Sequence, residues 1–202
     1  MKRLSEVDQE GDSIFRSTHV FYRDALKPGP ALDTLTLKFL GFLRDEFDKF
    51  DASQATSPGE TSLHGRSRKM LGSASTNAMM GPSLLRDNPD LLSSVWIVET
   101  GFHLFVNKIP RMFARRQYEA RDRINDAFTA YFSDEGKRQE GAPVIWDREV
   151  QMRNRGMTTR DVAAYTYSAY SVTSFFVHII LQLISFHLIG VCRHLQPRLI
   201  VF

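Results

Sequence analysis

Apolar residues recur at every third or fourth position along most of this chain, and Gly/Pro pairs cut the runs. That period is the one that lets a helix bury one side, so the pattern predicts an all-α chain punctuated by its breakers. Pro28-Gly29-Pro30 precedes a first helix, with Leu32, Leu35, Phe39, Leu40, Leu43, Phe47 and Phe50 on one face. A polar linker follows over Ser53 to Ser62. A second helix is expected from Leu63 to Met80, with Met70, Leu71, Ala74 and Ala78 on one face and Gly81-Pro82 as its stop. Pro89 opens a third helix that runs through Leu92, Val95, Trp96, Phe102 and Phe105 until Pro110 ends the pattern. A fourth begins near Met112 and carries Ala120, Ile124, Ala127, Phe128 and Tyr131, with a Glu119–Arg123 pair on its wet side. Gly136 and Gly141-Ala142-Pro143 are its expected end. Pro143 to Trp146 is the only candidate extended segment. Thr158-Thr159-Arg160-Asp161 reads as the cap of a last, long helix. Phe39, Leu43, Met70, Leu71, Trp96, Phe105, Ile124 and Phe128 are the expected shared core.

Composition narrows the class. With 202 residues, 43% hydrophobic and 24% charged, the chain is neither disordered nor collagen-like. Its single cysteine, Cys192, excludes an intramolecular disulfide and a multi-cysteine zinc site. The net charge of +3 is too small to imply nucleic acid. Met1 to Gly11 is polar, with no apolar core of a signal peptide or an N-terminal anchor. From Val162 to Cys192, bracketed by Asp161 and Arg193, no residue carries a formal charge. That length suffices for a membrane span, but Ser174, His178, Gln182 and Ser185 line one side, which favours a long packed helix over a tail anchor.

The chain offers little ready-made chemistry. None of His19, His64, His103, His178, His187 and His194 has the i,i+4 partner of a helical zinc site. Gly72, Gly81 and Gly101 stand alone, without a phosphate loop, and there is no Gly-x-Ser-x-Gly elbow. Arg111, Arg115, Arg116, Arg121 and Arg123 form one basic cluster. Glu119, Asp122 and Asp126 interrupt it, so it reads as a solvated helix face. No catalytic, cofactor-binding or metal-ligating residue is nominated.

Four stretches, in order, resemble the middle of a cytochrome P-450 of the membrane-bound fungal type related to sterol 7-hydroxylases and prostacyclin synthases. They are Ala25 to Asp33, Ser73 to Pro82, Ile109-Pro110-Arg111 through Tyr131-Phe132, and Gly156-Met157-Thr158 through Ala163. The resemblance covers about Ser13 to Tyr170 and divides the chain into a partial P-450-like helical domain, 1–170, and a divergent apolar tail, 171–202. It implies haem-thiolate monooxygenation of a lipophilic small molecule in secondary metabolism. It also implies an NADPH-cytochrome reductase as partner and an endoplasmic reticulum membrane as location.

The chain departs from that family where the chemistry sits. The places around Cys192 that should hold the Phe-x-x-Gly-x-x-x-Cys-x-Gly haem loop hold Ser185, Leu188 and His194 instead, so Cys192 reads as a small apolar residue. The one Glu-x-x-Arg match, Glu135-Gly136-Lys137-Arg138, falls in a turn and is rejected. Arg66 stands where the family's Trp-x-Arg tryptophan would fall, beside Arg68, and Ser171-Val172-Thr173-Ser174 offers only hydroxyls for oxygen activation. The abrupt loss of resemblance after Tyr170 suggests a truncated gene or an unspliced intron. The expectation is a truncated homologue, inactive alone, binding no haem itself and poorly stable. The alternative is a small all-α membrane-tethered or scaffolding protein, with possible membrane contact through the tail and no nucleic acid.

Overall fold

The computed structural model describes residues 27–56 and 62–168. Every regular element among them is a helix, as the periodicity predicts. In chain order these are α1 (Pro30–Thr56), α2 (Leu63–Met80), α3 (Ser83–Asp87), α4 (Leu91–Thr100), α5 (Phe102–Val106), α6 (Arg115–Ser133), α7 (Glu135–Glu140) and α8 (Pro143–Asn154). A further helix, α9, occupies residues 159–168. The expected long apolar helix beyond Ser168, and the tail 171–202, lie outside the described residues. Among those described, no helix is long and apolar enough to cross a membrane.

The core sits on α6. Ala120, Ile124, Ala127, Phe128 and Tyr131, the stripe read from spacing, are all buried, and Phe132 joins them. Leu91, Val95 and Val98 of α4, Ile145 and Met152 of α8, and Val162, Ala163 and Tyr167 of α9 close around that stripe. Phe128 and Tyr167 meet with ring centroids 6.2 Å apart, a tilted aromatic contact that joins α6 to α9. Of the eight expected core residues, Ile124 and Phe128 lie at this centre and Trp96 and Phe105 pack on its edge. Met70 is buried on α2, and Phe39, Leu43 and Leu71 are half-buried away from the cluster.

Small residues let α2 enter this body. A side chain at Gly72 would touch Leu92, so α4 lies directly against the α2 backbone. Gly81 ends α2 at φ 80°, and a Cβ there would sit 2.5 Å from the Cβ of Glu140. Only glycine meets both conditions. The junction is then sewn by backbone: Ala142 N–H donates to the Met79 carbonyl at 2.7 Å, and Ser83 N–H donates to the Glu140 carboxylate at 3.1 Å.

Four local readings are corrected. The third helix breaks at Gly101 into α4 and α5; Gly101 lies against Gln117 of α6, where a side chain would overlap it. The fourth helix starts at Arg115 and stops at Ser133, and Gly136 falls inside α7, whose start Asp134 caps by accepting from Gly136 and Lys137 N–H. Pro143 to Trp146 is the first turn of α8 and not a strand; Pro143 stands where a helix leaves its N–H unused anyway. Helix α1 runs on to Thr56, into the expected linker. Of the seven residues expected on its packed face, Leu32, Leu35, Phe39, Leu43 and Phe50 are half-buried, whereas Leu40 and Phe47 are exposed; Phe42 and Glu46 are half-buried as well. Among the described residues its main neighbour is α2.

Candidate functional site

Two carboxylates with buried oxygens stand out, and neither belongs to a recognisable sequence motif. The first is Glu149 on α8, 1% exposed. Its Oε1 accepts from Arg153, one helical turn on, at 2.6 Å, and from Arg138 of α7 at 2.7 Å. Arg153 also donates to the Phe132 carbonyl at the end of α6 and to the Thr159 hydroxyl at the start of α9. One guanidinium therefore ties three helices together. The Tyr131 hydroxyl is buried beside this group without a hydrogen-bond partner. Burial first, and then the charges of Glu140 and Glu149, push its ionisation far above the ordinary phenol range. It stays neutral and cannot serve as a base. A carboxylate held by two cations on one oxygen is an anchor between helices.

The second is Glu99 on α4. Its Oε2 accepts from Arg68 of α2 at 2.7 Å, and its Oε1 is buried without a hydrogen-bond partner. Burial pushes its carboxyl up, while the Arg68 bond pulls it back. The Arg68 guanidinium lies 4.8 Å from the centre of the Trp96 ring, a cation–π contact. Trp96 also lines a groove of about 340 Å³ between α4 and α6, with Ser93, Ile97, Thr100, Arg116 and Gln117. That volume is at the low end for a small-molecule pocket. The Thr100 hydroxyl is already committed to the Trp96 carbonyl at 2.8 Å.

The residues weighed from sequence separate clearly. The basic cluster is laced by its own acids: Arg115 with Glu119 at 2.6 Å, Arg111 with Asp122 at 2.8 Å, and Arg121 with Asp122 at 3.3 Å. Glu119 thus takes Arg115, not Arg123, as its close partner, because Arg115 reaches it from the preceding turn; the pair draws the Glu119 carboxyl below its usual range. Arg138 turns to Glu149, away from its formal motif partner Glu135. Arg66 lies 4.1 Å over the Phe50 ring, a structural contact between α2 and α1. Cys192, Ser171 to Ser174, His19, His178, His187 and His194 lie outside the described residues.

The described residues do not fit a haem-thiolate centre: they contain no cysteine, and His64 and His103 are half-buried and exposed rather than set in a cavity. Among them no three metal-binding side chains converge. Glu149 and its cations could have been half-read from the i,i+4 spacing to Arg153. The Arg138 and Arg68 partnerships cross 11 and 31 residues and leave no local signal.

No family model matches the chain, and no solved structure does. Two curated relatives do. One is the cytochrome P-450 monooxygenase poxD of Penicillium oxalicum, 23% identical over 130 residues, covering 62% of this chain and 27% of that protein. Another is the cytochrome P-450 monooxygenase nodJ of Hypoxylon pulicicidum, 24% identical over 136 residues, covering 67% of this chain and 26% of that protein. The chain thus spans about a quarter of the length of the curated relatives it matches. Over roughly two-thirds of its own length it shows weak homology, at 23–24% identity, to fungal cytochrome P-450 monooxygenases.

Proposed function

We propose that residues 1–170 form part of the helical body of a P-450-type monooxygenase, and that 171–202 is a tail divergent from it. The family reaction is haem-thiolate monooxygenation of a lipophilic molecule in secondary metabolism, with electrons from an NADPH-cytochrome reductase. The observation that carries this reading is the similarity to two fungal monooxygenases over about two-thirds of the chain. The order of the quoted stretches supports it, and so does the capped start of α9 where the family's central helix would begin. The finer branch, near sterol 7-hydroxylases and prostacyclin synthases, and an endoplasmic reticulum location belong to the same proposal.

The proposal includes that these 202 residues do not oxidise substrate by themselves. The protein must supply haem with an axial ligand, a pocket and an electron path. Cys192 is the only thiol, and its neighbours do not form the haem loop. Purified chain incubated with haem is therefore expected to show no thiolate-type spectrum on reduction under carbon monoxide, and no NADPH-dependent oxidation with a reductase added. A thiolate-type spectrum lost in Cys192→Ala would overturn that part and restore an active enzyme.

A further inference from the structure

The groove between α4 and α6 sets an aromatic wall beside polar groups that the fold does not use. Trp96 and Ile97, both half-buried, form its apolar part. Helix α2 braces Trp96 from behind. The Arg68 guanidinium lies 4.8 Å from the ring centre, and a side chain at Gly72 would stand 4.0 Å from the indole. No α2 residue lines the groove, so the brace leaves that side of the ring accessible. An indole held in place in this way offers a flat apolar surface that needs little ordering on binding.

Charge says what the ring would carry. Arg68 is matched by Glu99, Arg115 by Glu119, and Arg111 and Arg121 by Asp122. Arg116, which lines the groove, pairs with no acid among the described residues. Glu119 is only three positions on, yet the cations that draw its carboxyl down are Arg115, Arg111 and Arg123, and not Arg116. The Ser93 hydroxyl and the Gln117 amide also line the groove and make no hydrogen bond among the described residues. The Thr100 hydroxyl, by contrast, is spent on the carbonyls of Trp96 and Ile97. One unmatched guanidinium and two further donors thus stand beside an indole. A guanidinium takes a carboxylate through two parallel N–H bonds. Inorganic phosphate would answer the cation and leave the indole wet, and a neutral ring would do the reverse. The volume of about 340 Å³ suits a molecule of one or two rings.

We propose that the α4–α6 groove binds a small planar aromatic carboxylate. Its ring lies on Trp96 and Ile97, its carboxylate meets Arg116, and Ser93 and Gln117 supply further hydrogen bonds. The site uses nothing from the haem reading, so either can fail alone.

The test is a fluorescence titration of the full chain carrying Trp146→Phe, which leaves Trp96 as its single indole. The probe is 3-hydroxy-2-naphthoate, which accepts energy from an indole, and its methyl ester is the uncharged control. Expected is saturable quenching of Trp96 by the acid, with the ester binding at least about tenfold more weakly. Arg116→Gln is expected to weaken the acid by about the same factor and to leave the ester unchanged. Ser93→Phe fills the groove from an exposed position of α4 and should abolish binding of both. Arg116 and Ser93 are exposed and make no contact that the fold needs, so both variants keep the helical body. An unquenched Trp96, equal binding of acid and ester, or acid binding that Arg116→Gln or Ser93→Phe leaves unchanged would each overturn the proposal.

Discussion

Helix α1 and the body from α2 to α9 are built from similar proportions of apolar residues but use them differently. In the body, α6 is covered by α4, α8 and α9, and five of its side chains are at most 2% exposed. In α1 no described side chain is buried, although the helix has 27 residues, more than any other here. Leu37, Leu40 and Phe47 point to water. Length and amphipathic sequence make a helix, but the number of neighbours decides how much of its apolar surface stabilises the fold. One partner protects a seam, and three or more protect a core.

The largest expected effect should fall on the body. Phe128→Ala removes a fully buried ring shared by α6 and α9, and should cost about 4 kcal/mol in denaturant unfolding. A cost near zero would show that α6 is not the centre. Glu149→Gln should cost about 3 kcal/mol, since Arg138 and Arg153 would keep their charges with no carboxylate between them. An equal loss in the Arg138→Met and Arg153→Met single variants would sharpen that result.

A smaller loss, about 1 kcal/mol, is expected for Thr158→Ala. There Thr158 and Asp161 cap each other: the hydroxyl receives Asp161 N–H at 3.2 Å, and the carboxylate receives Thr158 N–H at 3.2 Å and the hydroxyl at 2.7 Å. These bonds lower the Asp161 pKa, chiefly through the hydroxyl. The folded state therefore binds that proton less readily than the unfolded one. The cap's contribution is present above the ordinary Asp range and is lost as pH falls through the lowered folded value. Amide exchange at the start of α9 should accelerate over that window in the parent and change less in Asp161→Asn.

The smallest effect belongs to α1. Leu37→Ser and Phe47→Ser should each stay within about 0.5 kcal/mol. Hydrogen exchange should show α1 opening at lower free energy than α6. Protection of α1 equal to that of α6 would erase the contrast.

Local signals carried much of this fold. Leu63 to Met80 emerged with both ends right, because Ser62 caps one and Gly81 stops the other. The α6 stripe and the Thr158–Asp161 box were equally plain. What escaped depends on neighbours far along the chain. Gly101 interrupts a continuous apolar pattern at a place where α6 comes close enough for Gln117 to fill the space of a side chain. Leu40 and Phe47 fit the helical period but face outward, because among the described residues α2 is the main helix alongside and it covers the other side. The Arg138–Glu149 and Arg68–Glu99 pairs exist only once helices have met. The thiol on which a monooxygenase reading hinges, Cys192, lies outside the described residues.

Arg153 has a mechanical meaning as well. It grips the last turn of α6 and the first residue of α9 through one rigid, planar group. The ten helical residues 159–168 extend about 15 Å from that grip at the usual rise per residue. A tilt of roughly 10° at the root would carry the far end sideways by about 2.5 Å over that length. The far end is not free to make that swing, because Tyr167 is buried there against Phe128, so α9 is held at its root by Arg153 and near its tip by an aromatic contact.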